Sequence, residues 1–144
     1  MISYESILKV SRVLERHDVL FYKLWDMGVP SINKQIKTAR VCFNKNGNLV
    51  SFEFNPKYWN KLSNYERAFV IAHESLHVIL NHGKRIFPKT KEEHKTANVA
   101  MDIAVNEMLL GGFYFERDIV LKFFIHSIRE SILFFKHPVL FSSI

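Results

Sequence analysis

Apolar residues recur at three- and four-residue steps along several stretches of the chain. Ile7, Val10, Leu14, Phe21 and Leu24, with His17 filling one slot, form the stripe of an amphipathic helix, and Gly28 and Pro30 predict where it stops. "TARVCF" and "LVSFEF" are two β-rich runs around "NKNGN", the Asn-Gly signal of a hairpin, and Pro56 ends the second run. "LSNYERAFVIAHESLHVILNHG" opens with Ser63 and Glu66 at capping-box spacing, which predicts a long helix that Gly83 closes. Thr90 and Glu93 repeat that spacing and start another helix through "ANVAMDIAVNEMLL" to Gly111 and Gly112. Its apolar residues Val99, Met101, Ile103, Ala104, Val105, Met108 and Leu109 point round much of the circumference, so it is expected to be buried on most sides.

Composition narrows the class. A chain of 144 residues with 48% hydrophobic content suits one core-forming domain. Residues 1–118 are expected to form it. The remainder, 119–144, is an apolar tail rich in Phe and Ile, read as a helix up to Pro138 packed on the domain; its other reading is an exposed surface for a protein partner or a membrane face. The net charge is +6, but Lys and Arg are scattered without a block of like charge, so nucleic acid is not expected as a partner. Cys42 is the only cysteine, so no internal disulfide can form and a metal site must use His and carboxylate groups. No apolar run approaches the roughly 18 residues of a membrane span, and the N-terminus lacks the pattern of a secretion signal. The expected location is cytoplasmic.

The chemistry concentrates in "AHESLHVILNHG". Residues four apart on a helix are turned by only about 40° and lie about 6 Å apart, so His73 and His77 project side by side and can hold one ion. Glu74, turned about 100° from His73, can instead take a proton from a water on that ion. This H-E-x-x-H spacing on a helix is the zinc-peptidase motif. Catalytic zinc usually takes three protein ligands, so a third is needed. Asn98, Asp102 and Asn106 recur every four residues as a polar stripe on the second helix, and burying such groups without partners costs on the order of 2 to 7 kcal/mol for an amide and more for a charge. A metal site facing the stripe removes that cost, with Asp102 as the third ligand and Asn98 and Asn106 as supporting or substrate-binding groups. His94, one four-residue step before Asn98, is the alternative. His82 is another, provided the chain folds back at Gly83, whereas Glu107 is turned about 140° from Asp102 and needs a different face.

The stretch from "KTARVCF" through "HESLHVILNHGKR", followed by "ANVAMDIAVNEML", resembles the zinc metallopeptidase domain of bacteria and phages that often stands ahead of a VWA-like domain. The likeness spans roughly Thr38 to Leu110 and leaves the tail after Asp118 outside it. In that family an H-E-x-x-H helix and a nearby arginine precede an Asn, an Asp and a further Asn, which correspond to His73, Glu74, His77, Arg85, Asn98, Asp102 and Asn106. The resemblance implies an α+β, zincin-like fold with zinc on His73, His77 and Asp102 and with Glu74 as general base in peptide hydrolysis. It also implies a strand beside the cleft that pairs with an extended peptide or protein substrate, and "LVSFEF" is the candidate edge strand. Two other readings are a non-catalytic binding module on the zincin scaffold, and a SprT-like DNA-associated protease with His94 as a third histidine.

Overall fold

An aspartate stops the first helix earlier than the apolar stripe suggests. In the computed structural model, which describes residues 4–21, 24–26, 28–85, 87–113, 115–123 and 125, helix α1 spans Tyr4–His17. Asp18 Oδ1 then accepts the Leu20 N–H at 2.8 Å, offering the backbone a turn in place of further helix. Two short 3-10 turns, Val19–Phe21 and Leu24–Asp26, follow where one continuous helix up to Gly28 was expected. The stripe still does its work, because Ile7, Val10, Leu14 and Phe21 are all buried.

Contacts divide the chain into two compact units, residues 1–87 and 88–144. The first is a mixed α+β unit with a three-stranded sheet. Its strands are β1 (Pro30–Ile32), β2 (Ala39–Phe43) and β3 (Leu49–Phe54). β2 and β3 form the expected antiparallel hairpin, with Ala39 opposite Phe54 and a bulge between Cys42 and Phe43. Asn44 Oδ1 accepts the N–H groups of Asn46 and Asn48, and Gly47 takes φ 73°, so the Asn-Gly signal becomes the turn. The strand order is β1-β3-β2, and β1 runs parallel to β3 with Pro30 opposite Phe52. β3 is therefore the central strand, which corrects the expectation that "LVSFEF" lies at an edge; the described residues put β2 at the edge beyond it. The expectation failed because β1 begins with a proline, a residue that reads as a breaker yet is tolerated in an edge strand.

β3 turns Phe52 and Phe54 into the core, where they meet Trp25 and Trp59 edge to face at centroid distances of 5.4 and 5.3 Å. Glu53, on the opposite face, binds Arg40 and Asn33, each at 2.8 Å. Helix α2 (Pro56–Asn60) starts with Pro56 under an Asn55 cap that accepts from Lys57 and Tyr58. Helix α3 (Asn64–Ile79) packs on α1 and β2 and carries the full capping box: Ser63 Oγ accepts the Glu66 N–H at 3.2 Å, and Glu66 Oε2 accepts the Ser63 N–H at 2.7 Å. It closes at Leu80 rather than Gly83, because Asn81 takes the left-handed conformation, φ 58°, that often ends a helix. A short helix α4 (His82–Arg85) follows at once.

The second unit is built on α5 (Lys91–Gly111), capped by Thr90 and Glu93 as expected. It buries Val105, Asn106 and Leu109, while Ile103 and Ala104 are exposed, so burial is confined to one side. Ala104 adds to the apolar count without implying burial, because alanine is favoured in helices whether or not it is buried. Residues 117–123 are again helical, and Phe115 and Val120 are buried. The expectations for the tail to Pro138, a covering helix or a partner surface, lie mostly outside the described residues. No described helix is long and apolar enough to cross a membrane.

Candidate metal centre

The middle of α3 places polar groups inside an apolar helix. Phe69, Ile71, Ala72 and Leu76 are buried around them, and the buried Ser75 satisfies its hydroxyl on the Ile71 carbonyl one turn back, at 2.6 Å. Three further polar groups lie there: Glu74 is 9% exposed and His77 is 7% exposed, with His73 half-buried one turn before His77.

Helical spacing brings the two rings together as the sequence predicts. Their centroids are 4.8 Å apart and Nε2 of His73 faces Nε2 of His77 at 3.1 Å. Two nitrogens on one tetrahedral zinc, each at about 2.0 to 2.1 Å, stand about 3.3 Å apart, so the pair fits a shared ion with minor adjustment. Bare imidazole nitrogens beside a carboxylate are a donor set suited to zinc and its neighbours among divalent transition metals.

His82 approaches from the other edge of the same ring: its Nδ1 lies 2.9 Å from Nδ1 of His77, and it is itself 8% exposed. Its contact is therefore with the nitrogen that faces away from His73. Arg85, exposed on α4, reaches toward the Leu80 carbonyl at 3.5 Å. On α2, Tyr58 is close enough to feel the carboxylates of α3: burial first, then the charges of Glu74 and Glu66, hold its hydroxyl well above the ordinary phenol value. Tyr58 carries no signal in the sequence, because only the fold brings it within range of the charges on α3.

In the second unit, Asp102 is half-buried on α5, Asn106 one turn later is 5% exposed, and Asn98 one turn earlier is exposed. His94 and Glu107 are both exposed.

No curated protein and no solved structure matches the chain. A family match does cover residues 12–121, wider at both ends than the resemblance read from the motifs, and it takes in α3, α4 and α5 together. With that match spanning well over half of the 144 residues, the chain belongs to the family described as "Putative metallopeptidase domain".

Proposed function

We propose that the protein is a zinc-dependent metallopeptidase of zincin-like architecture, in which His73, His77 and Asp102 hold the metal and Glu74 is the general base. The observation that carries the reading is the pair of Nε2 atoms facing each other at 3.1 Å on one helix, with the buried Glu74 carboxylate beside His73 in sequence. Family membership supports the reaction class. Asp102 is supported by its place on the polar stripe of α5, where Asn106 is buried and can hold a neighbouring side chain or a substrate amide.

When bound, zinc supplies Lewis acidity, which makes water a nucleophile at neutral pH and polarises the carbonyl under attack. Glu74 removes one proton from the attacking water as its oxygen bonds to the peptide carbonyl carbon, and returns it to the nitrogen as the C–N bond breaks. Burial of Glu74 keeps the carboxylate oriented and limits competing solvent around it. β2, at the edge of the sheet and packed against α3, offers main-chain groups to an extended peptide.

The test is hydrolysis of an unfolded protein substrate by the full chain with zinc, beside Glu74→Gln and Asp102→Ala. Glu74→Gln is expected to lose turnover and keep zinc, and Asp102→Ala to lose both, while His94→Ala keeps both. Zinc retained in Asp102→Ala and lost in His94→Ala would transfer the third-ligand role to His94. Hydrolysis undiminished in Glu74→Gln would remove the mechanism.

A further inference from the structure

We infer that His82 is a positioning residue for the metal, accepting the Nδ1 proton of His77 and so fixing the tautomer that leaves Nε2 of His77 bare toward His73. The inference rests on the reading of His73 and His77 as ligands.

A neutral imidazole carries one ring proton, and the nitrogen that binds a metal must be the bare one. If His77 ligates through Nε2, its proton sits on Nδ1. That nitrogen is 2.9 Å from Nδ1 of His82, a hydrogen-bonding distance that accommodates one proton between the two rings. His77 supplies it, so His82 must present a bare Nδ1 and carry its own proton on Nε2. The opposite assignment, with His82 donating, would move the His77 proton to Nε2 and aim it at the position the metal needs. Both rings are more than nine-tenths buried, which strengthens the bond and raises the cost of breaking it.

The fold takes trouble to bring His82 there. On a continuing helix it would be turned about 140° from His77 and could not reach that edge of the ring. Asn81 breaks α3 with its positive φ, and α4 starts at His82. α4 is then seated against the hairpin turn by two glycines. A Cβ at Gly83 would lie 2.5 Å from the Phe43 ring and 2.8 Å from the Gly47 carbonyl oxygen, and a Cβ at Gly47 would collide with the Gly83 carbonyl. The β2-β3 turn therefore sets the position of α4, α4 sets His82, and His82 sets the ring of His77.

The experiment uses the full chain loaded with zinc alone. Long-range 1H–15N spectra of the histidine rings are expected to show His77 protonated at Nδ1 and His82 protonated at Nε2; a proton on Nδ1 of His82 would overturn the inference. Zinc affinity, measured by competition with a chelating dye, should fall about 10- to 100-fold in His82→Phe, which keeps a ring but no acceptor. It should recover in large part in His82→Asn, whose amide oxygen can accept near the same point. Equal affinity in wild type and His82→Phe overturns the inference, and if His82→Phe does not fold, the wild-type spectrum and His82→Asn decide it. A wild type that takes up no zinc removes the metal reading itself, whereas zinc uptake unchanged by His82→Phe removes only the role of His82.

Discussion

Helices α3 and α5 begin alike and end up in different surroundings. Each opens with a capping box, Ser63 with Glu66 and Thr90 with Glu93, and each carries apolar residues over much of its length. Yet α3 buries ten of its 16 residues and α5 only three of 21. Caps specify where a helix starts, because they satisfy backbone donors that have no partner inside the helix. Burial is decided by what packs on the helix, and it differs between the two. On α3 the buried polar residues include Glu74 and His77, and on α5 the one buried polar residue is Asn106.

The largest expected consequence of that contrast is chemical. Glu74→Gln should lower peptide hydrolysis about 10²- to 10⁴-fold, the usual contribution of a general base, with zinc content unchanged. Glu107→Gln, an exposed carboxylate on α5, should leave the rate as it is. Comparable losses from both would mean that burial does not mark the working carboxylate.

Next comes stability. Leu76→Ala, at a fully buried position of α3, is expected to cost about 2 to 5 kcal/mol in urea unfolding, whereas Ile103→Ala, 43% exposed on α5, should stay within about 0.5 kcal/mol. A smaller effect sharpens the likeness of the two helices: Ser63→Ala and Thr90→Ala remove equivalent caps and should each cost about 1 kcal/mol. Unequal costs would show that burial reaches as far as the cap.

The smallest effect lies on the sheet. Burial opposes ionisation of Glu53, but hydrogen bonds from Asn33 and Arg40 and the Arg40 charge outweigh it and hold the carboxyl below its ordinary value of 4.5. A folded-state value below the unfolded one gives stability that is present above about pH 4.5 and is lost as pH falls through the lower, folded value. Glu53→Gln should therefore cost about 0.5 kcal/mol at neutral pH and nothing in strong acid, as read from unfolding midpoints at several pH values.

What could be read from the sequence follows from the range of the interactions involved. The caps of α3 and α5, the Asn-Gly hairpin and the pairing of His73 with His77 depend on residues within a few positions of each other, and the structure has all of them. Strand order does not, so neither the central place of β3 nor the proline-led β1 that pairs with it has a local signal. Gly83 reads as the end of α3 because glycine is the usual left-handed residue, whereas Asn81 takes that conformation and Gly83 is needed for its close approach to Phe43 and Gly47. His82 on the far edge of His77 has no local signature, since it depends on α4 packing against the hairpin turn.

The most direct measurement is the metal content of the full chain purified without chelator, compared with His77→Ala that circular dichroism shows to be folded. About one zinc per wild-type chain, lost in the variant, is the expected result. A wild type that holds no metal even after zinc is offered, or a folded His77→Ala that holds as much, would contradict a metal centre on α3.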